Sequence, residues 1–150
     1  MAIDGPAGAG KSTVAKRVAE KLGYNYLDTG AMYRAVTLKA LQDKISFEDR
    51  EALSKCAYNS GIRFEENNDS ILPEVFLNDT NVTLDIRKPE VARNVSFVAA
   101  VPEVRDCMTR LQREIGHHGK WVVDGRDIGS VVFPDARAKI FLSASIEQRA

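Results

Sequence analysis

The residues best suited to chemistry lie near the N-terminus, where the chain reads Gly5-Pro6-Ala7-Gly8-Ala9-Gly10-Lys11-Ser12 and matches G-x-x-x-x-G-K-[ST] at every fixed position. The glycines let the backbone present N–H groups to phosphate oxygens, and the helix predicted to follow directs the positive end of its dipole there. Lys11 supplies a mobile charge for the β- and γ-phosphates, Ser12 a ligand for Mg²⁺, and Thr13 a hydroxyl for the α-phosphate. The sequence therefore predicts a nucleoside triphosphate site at residues 5–13. A glycine-rich turn with a chance Gly-Lys-Ser is disfavoured, because a strand precedes the loop and an amphipathic helix follows it.

This phosphate loop (P-loop) does not by itself distinguish kinases, GTPases and ATPases. A GTPase needs a guanine-reading N-K-x-D segment, which this sequence lacks. A motor or transporter ATPase would need a longer chain and a partner surface. A kinase of small molecules needs a second anion site facing the loop, and two segments are candidates for it.

The first candidate segment is Asp28-Thr29-Gly30-Ala31-Met32-Tyr33-Arg34, which follows the second predicted strand and opens a helix. Ligands of open α/β sheets bind beyond the carboxyl ends of the strands, where Thr29 and Arg34 are placed. Arg34 is therefore predicted to hold a second phosphate as a bidentate clamp. The alternative is a solvated charge on a helix.

The second candidate segment is Asp124-Gly125-Arg126-Asp127-Ile128-Gly129, which follows the apolar strand Trp121-Val122-Val123. An apolar strand that ends in Asp has the form of a Walker B element, so Asp124 is predicted to hold Mg²⁺, if need be through water. The alternative is a turn with internal ion pairing.

Other polar residues carry weaker signals. On spacing alone, Arg93, Asn94, Ser96 and Arg105 are interpreted as ordinary polar residues of two helices. The pair His117-His118 is interpreted as part of a solvated loop and not as a metal or acid–base site.

Composition sets limits on the function. The chain has 150 residues, the length of one domain, and its 21 Lys and Arg balance its 21 Asp and Glu. Zero net charge gives no support for a nucleic-acid or membrane partner. No apolar run approaches the length of a membrane span and no signal peptide precedes Asp4, so we expect a cytoplasmic protein. Cys56 and Cys107 lack a C-x-x-C spacing and are expected to be reduced thiols.

Short apolar runs alternate with helical periodicity along most of the chain, which favours a three-layer α/β fold with a parallel sheet flanked by helices. Buried strands are predicted at 1–3, 24–27, 121–123 and 139–142, and helices at 11–22, 31–44, 47–58, 89–99 and 102–115, with a further helix starting at 146–150. Ser46, followed by Asp49, is expected to cap the third helix. Residues 60–88 differ in pattern and predict a small antiparallel insert, with a hairpin of 62–64 and 75–77 and a third strand within 80–87.

Taken together, these segments resemble the bacterial cytidylate kinases, a branch of the nucleoside monophosphate (NMP) kinases. The matching stretches are IDGPAGAGKST at 3–13, LDTGAMYRA at 27–35, ARNVSFVAAVPEVR at 92–105, VVDGRDIGSVVFPDA at 122–136 and AKIFLSASIEQRA at 138–150. The second and fourth of these are far more specific than the P-loop.

The resemblance implies Mg²⁺-dependent transfer of the γ-phosphoryl group of ATP to CMP or dCMP. It also implies a P-loop NTPase fold with a CORE at 1–59, an NMP-binding insert at 60–88 and a continued CORE at 89–150. The family continues with an arginine-rich LID and a final strand and helix, which this chain lacks. We therefore expect a longer natural protein, and poor turnover from the chain alone.

The resemblance also assigns roles to individual residues. It places the Thr29 hydroxyl near the substrate, gives Arg34 and Arg126 the monophosphate, and gives Ser96, Arg105 and Asp127 the cytosine or the orientation of the nucleotide. For Ser96 and Arg105, this role is preferred over the interpretation from spacing, which made them ordinary polar residues of helices. The predicted catalytic residues are Lys11, Arg34 and Arg126, and the predicted metal ligands are Ser12 and Asp124. A monomer is expected; the alternatives are another small-molecule P-loop kinase, acting on AMP or shikimate, and a nucleotide-binding fragment without turnover.

Overall fold

The computed structural model describes residues 1–67 and 69–145, without the side chain of Ile71. Within them, the strands are β1 (Ala2–Asp4), β2 (Asn25–Asp28), β3 (Ile62–Asn67), β4 (Ser70–Leu77), β5 (Thr80–Asn81), β6 (Trp121–Gly125) and β7 (Lys139–Phe141). The α-helices are α1 (Lys11–Leu22), α2 (Thr29–Gln42), α3 (Arg50–Tyr58), α4 (Pro89–Ala99) and α5 (Pro102–Gly116). A 3₁₀ turn at Asp85–Arg87 and a π-helical turn at Ile128–Val132 complete the described elements.

The larger sheet has the strand order β2-β6-β1-β7, and its three pairings are parallel. Strands β1, β2 and β6 bury apolar side chains, and Ile3, Leu27 and Val122 are fully buried. Helix α1 packs Ala15 and Ala19 against this core. The predicted α/β class with a parallel sheet is thereby confirmed.

Strand β7 corrects one detail of the sequence prediction. The apolar run at 139–142 was expected to be a buried strand. In the structure β7 pairs with β1 alone among the described strands and forms an edge of the sheet. Phe141 is 72% exposed and Ile140 40% exposed. An apolar run does not distinguish a central strand from an edge strand, because both need one buried face.

The smaller sheet has the order β3-β4-β5, with β4 and β5 antiparallel. The predicted antiparallel insert is therefore present, but its third strand is only Thr80–Asn81. The Asn81 side chain accepts hydrogen bonds from the N–H and the hydroxyl of Thr83, at 3.0 and 2.7 Å. These bonds bend the chain out of the sheet, and the 3₁₀ turn at Asp85–Arg87 follows.

The start of α3 also differs from the prediction. Asp49, and not Ser46, is the N-cap, and its carboxylate accepts the N–H of Ala52 at 2.9 Å. The Ser46 hydroxyl instead accepts the N–H of Glu48 in a local turn, at 3.3 Å. Both residue types cap helices well, so the sequence pattern does not choose between them.

Contacts between Cα atoms divide the chain into two compact units. The first contains residues 1–29, 69–72 and 112–145, and with them the parallel sheet. The second contains residues 30–67 and 73–111, and its core includes Met32, Val36, Leu53, Ile86, Val98 and Met108. The division into CORE and NMP-binding insert is a division by function and stays a prediction. Among the helices that the structure describes, none is long and apolar enough to cross a bilayer.

Candidate nucleotide-binding site

The P-loop joins β1 to α1 in the first unit. Gly10 is the N-cap of α1 and adopts a left-handed conformation, with φ 79°, which glycine reaches without steric cost. Gly5 lies so close to the chain after β7 that a Cβ atom there would be 2.1 Å from the carbonyl oxygen of Leu142. The first turn of α1 carries no acidic side chain, so the positive end of the helix dipole is not neutralised there. This geometry is that of an anion-binding loop.

Lys11 lies in the first turn of α1 and turns back over the loop. Its Nζ donates a hydrogen bond to the carbonyl of Pro6 at 2.8 Å. Burial lowers the pKa of the Lys11 ammonium, the carboxylate of Asp124 opposes this effect, and the guanidinium of Arg126 adds to it. Lys11 and Arg126, two of the three cations predicted to neutralise phosphate charge, are thus within electrostatic range of each other.

Three of the parallel strands carry an aspartate at or next to their carboxyl ends. Asp124 of β6 is in register with Ile3 of β1 and with Asp28 of β2, and Asp4 is in register with Gly125. Parallel strands place their carboxyl ends at one edge of the sheet, so these acids lie beside the P-loop. The predicted Walker B position of Asp124 agrees with this placement.

Asp124 is the buried member of this group, with 3% of its surface exposed. Burial raises the pKa of the Asp124 carboxyl, and the nearby Asp28 carboxylate raises it further. Hydrogen bonds with the hydroxyls of Ser12 and Tyr26 act in the opposite direction, and the Tyr26 hydroxyl lies 3.1 Å from Oδ1. Ser12 and Asp124, the two predicted metal ligands, are therefore in contact.

An oxygen pair of this kind suits a hard cation such as Mg²⁺, which keeps several waters and binds phosphate oxygens in addition to one or two protein ligands. Within residues 1–67 and 69–145, no three His, Cys, Asp or Glu side chains are grouped closely enough to hold a metal alone. The residues present thus fit a magnesium ion that arrives with a nucleotide.

Thr29 holds the first candidate segment against β6. It is 4% exposed, and its hydroxyl donates to the backbone carbonyl of Asp124 at 2.8 Å. Gly125 permits this contact, because a Cβ atom at that position would lie 2.2 Å from the Thr29 Oγ1. The Thr29 hydroxyl, which the resemblance places near the substrate, is therefore hydrogen-bonded to the end of β6.

The chain after β6 carries Arg126 and Asp127, both exposed. Asp127 adopts a left-handed conformation, with φ 58°, and starts the π-helical turn. The N–H groups of Ile128 and Gly129 donate to the two carboxylate oxygens of Asp4, at 2.7 and 2.8 Å. No motif marks Asp4; its only signal in the sequence is an acidic residue at a strand end directly before the P-loop.

A cavity of about 750 Å³ lies between these elements. The P-loop contributes Gly5 and Ala7, the loop after β6 contributes Arg126, and β7 contributes Lys139 and Phe141. Its lining also includes Asp4 and Asp127, so cationic and acidic side chains balance, and the cavity has the size to take part of a nucleotide.

The remaining predicted residues belong to the second unit. Arg34 is half-buried on α2, whereas Ser96 on α4 and Arg105 on α5 are exposed. Their roles stay predictions. His117 and His118 are exposed at the end of α5, as expected.

A parallel sheet with a glycine-rich loop between its first strand and first helix defines the P-loop class of nucleotide-binding proteins. Comparison with known sequences narrows the class. A sequence model described as cytidylate kinase matches residues 1–150, and the chain belongs to this family.

Several curated relatives match the whole chain. It is 51% identical to the cytidylate kinase of Caldanaerobacter subterraneus subsp. tengcongensis and 54% identical to that of Ligilactobacillus salivarius, and it covers 64% and 66% of those proteins. It is also 53% identical to a bifunctional pantoate ligase/cytidylate kinase of Trichormus variabilis, of which it covers 28%. The chain thus spans slightly less than two thirds of the length of the monofunctional relatives.

Proposed function

We propose that the complete protein phosphorylates CMP and dCMP to CDP and dCDP with ATP, and that this chain carries the P-loop and a large part of the acceptor site. One observation carries the proposal: the P-loop and the loop of Arg126 and Asp127 leave the same edge of one sheet, with Lys11 and Arg126 within electrostatic range. Membership of the cytidylate kinase family supports the choice of a cytidine nucleotide.

The donor half of the site is the P-loop. Residues 5–13 bind the phosphates of ATP through backbone N–H groups and the dipole of α1. Lys11 leaves the Pro6 carbonyl and moves to the β- and γ-phosphates when they arrive. Mg²⁺, held by Ser12 and Asp124, would neutralise phosphate charge and orient the phosphoryl group.

The acceptor half is assigned from the sequence motifs and the family resemblance. Arg34 and Arg126 hold the monophosphate, and the residues that orient the nucleotide and select cytosine are Thr29, Ser96, Arg105 and Asp127. Because the Thr29 hydroxyl already donates to the backbone of β6, it meets the substrate as a hydrogen-bond acceptor. The N4 amine of cytosine donates and suits an acceptor such as Asp127. The O2 and N3 atoms of cytosine accept and suit donors such as Arg105 and Ser96.

The chemistry is direct in-line transfer between two phosphates. The transition state is loose, so catalysis comes from positioning and from neutralisation of charge on the transferred group. Lys11, Arg34 and Arg126 supply that charge. The acceptor oxygen is already anionic, so the reaction needs no general base.

The same proposal includes a monomer in the cytoplasm that uses neither nucleic acid nor a membrane. The equal numbers of basic and acidic residues favour neither a nucleic-acid partner nor a membrane surface. Light scattering coupled to size-exclusion chromatography tests the monomer; a mass of twice the polypeptide would contradict it.

The substrate is tested with the complete protein in a coupled assay of ADP release. The acceptor panel is CMP, dCMP, UMP, AMP and shikimate, each with ATP and Mg²⁺. We expect CMP and dCMP to give the highest kcat/KM. A stronger response to AMP or shikimate would support another small-molecule P-loop kinase, and saturable ATP binding without acceptor-dependent turnover would support a binding module.

The role of Arg126 is tested by substitution. Arg126→Ala is expected to lower kcat about 10²–10³-fold, the usual effect of removing one group that stabilises transition-state charge. Arg126→Lys should restore part of the loss, because it returns the charge without the bidentate geometry. Arg17→Ala is the matched control, since Arg17 is an exposed arginine of α1 in the same unit. Equal activity of the Arg126→Ala and Arg17→Ala variants would refute the role.

A further inference from the structure

Asp4 joins the two halves of the proposed site. It is the last residue of β1 and immediately precedes Gly5, the first residue of the P-loop. Its carboxylate accepts the N–H of Ile128 at 2.7 Å with one oxygen and the N–H of Gly129 at 2.8 Å with the other. The Asp4 side chain, directly before the P-loop, therefore binds the backbone of the loop that follows β6.

The two N–H groups belong to residues directly after Arg126 and Asp127. Asp127 has a left-handed backbone, a conformation that few non-glycine residues adopt and that Asp tolerates better than most. Hydrogen bonds to an ionised carboxylate are short and about twice as strong as neutral ones, and both oxygens of Asp4 are engaged. The backbone conformation that presents Arg126 and Asp127 is thus anchored at the next two residues.

The fit around this contact is close. A Cβ atom at Gly129 would lie 3.3 Å from the Asp4 Oδ2 and 3.2 Å from the side chain of Lys139. Both distances are tighter than ordinary van der Waals contact, so the neighbours would have to give way. A side chain at residue 129 therefore disturbs the same anchor without changing the carboxylate.

We propose that Asp4 is a positioning residue for the acceptor nucleotide: it fixes the backbone of Ile128 and Gly129, and thereby the place of Arg126 and Asp127 relative to the P-loop. The inference rests on the proposed function for the identity of the acceptor, and on the two hydrogen bonds for the anchor itself. It predicts that loss of the anchor weakens use of the acceptor far more than binding of ATP.

The test uses Asp4→Asn and Gly129→Ala in the complete protein. Asparagine has the shape of aspartate but turns an NH₂ group toward one of the two N–H donors, so that one bond is lost and the other loses its charge. We expect the KM for CMP to rise about tenfold or more, and the Kd for ATP, measured by calorimetry, to change less than threefold. The matched control is Glu20→Gln, which removes one carboxylate from an exposed position of α1.

An independent readout is the backbone amide resonances of Ile128 and Gly129 in ¹H–¹⁵N NMR spectra. Both should lie downfield in the wild type and move upfield in Asp4→Asn, because N–H groups bonded to a carboxylate are deshielded. Unchanged amide resonances in a folded Asp4→Asn variant would overturn the anchor. Resonances that move while the CMP and ATP constants change by the same factor, or not at all, would overturn the positioning role.

The spectra need no turnover, so they separate this inference from the proposed function. A wild type that neither binds nor phosphorylates CMP would refute the acceptor assignment, and with it the acceptor part of this inference, while the amide resonances would still decide whether Asp4 holds the loop. If Asp4→Asn does not fold, Gly129→Ala gives the same comparison, with the same expected difference between CMP and ATP.

Discussion

Replacing Asp124 with asparagine is expected to stabilise the protein although it removes a predicted metal ligand. Burial raises the pKa of Asp124, as does the carboxylate of Asp28 on the neighbouring strand. Strands of one sheet lie about 4.8 Å apart, and two carboxylates ~5 Å apart repel by roughly 3 kcal/mol at an effective dielectric constant near 20. Hydrogen bonds from Ser12 and Tyr26 offset much of this cost. The raised pKa shows that the charged form is still disfavoured on balance.

Asparagine keeps an oxygen for the Tyr26 hydroxyl and carries no charge. We therefore expect the free energy of unfolding to rise at pH 7 by on the order of 1 kcal/mol, which is what remains of the ~3 kcal/mol repulsion after two hydrogen bonds of about 1 kcal/mol each. For a chain of this length the midpoint of thermal unfolding should rise by roughly 2–4 °C. Gains of this kind are common where a functional site carries a buried charge.

The pH dependence of the stability difference between Asp124→Asn and the wild type is a sharper test than its value at pH 7. A carboxyl whose pKa is higher in the folded than in the unfolded protein contributes stability below its ordinary value of 3.8 and loses that contribution as pH rises through the folded pKa. The advantage of Asp124→Asn should therefore be absent in acid and complete at neutral pH. Urea unfolding from pH 3 to pH 8 in EDTA measures this advantage, with Glu20→Gln as the control for an exposed carboxylate. An Asp124→Asn variant less stable than the wild type at pH 7, or an advantage independent of pH, would refute the reasoning.

Three further predictions follow from contacts in the two units. Tyr26→Phe removes a hydrogen bond to the Asp124 carboxylate and should raise the pKa of that carboxyl further; ¹³C NMR of its carboxyl carbon measures the pKa, and a fall would contradict the assignment. Gly125→Ala places a Cβ atom 2.2 Å from the Thr29 Oγ1 and should cost about 1–3 kcal/mol in urea unfolding, as overpacking does, so a neutral result would show that Thr29 is free to move. Asp49→Ala removes the cap of α3 and should cost about 1 kcal/mol, whereas Asp49→Asn should cost little; equal losses would mean that the cap contributes nothing.

Much of the fold could be predicted from the sequence, because hydrophobic periodicity and the glycine and proline positions agree with each other. Gly23 ends α1, and Pro89 and Pro102 begin α4 and α5, as predicted. The errors fall where a choice depends on hydrogen bonds that the pattern does not encode. Asn81 and Thr83 end the third strand of the insert early through their side chains, and nothing in their spacing indicates it.

The sequence carries stronger signals for the P-loop side of the candidate site than for the acceptor side. Motif spacing predicted the P-loop and Asp124, because the chemistry of phosphate and Mg²⁺ fixes which residue types must follow a strand. Asp4 was missed because its partners are the N–H groups of residues 128 and 129, more than 120 positions away, and backbone groups leave no trace in a sequence. Ser96 and Arg105 were selected only through the family resemblance, and their roles await the substrate assays.

The strand order of the parallel sheet has a consequence for the synthesis of the chain on the ribosome. Strands β1 and β2 are not neighbours, because β6 lies between them, and Ala2 pairs with Val123. The first two strands to emerge therefore have no partner in the sheet until β6 follows, about 120 residues after β1 and about 95 residues after β2. The second unit lies between β2 and β6 in the sequence and can fold in the meantime. We expect the second unit to fold first and the parallel sheet to form only after β6 has been synthesised.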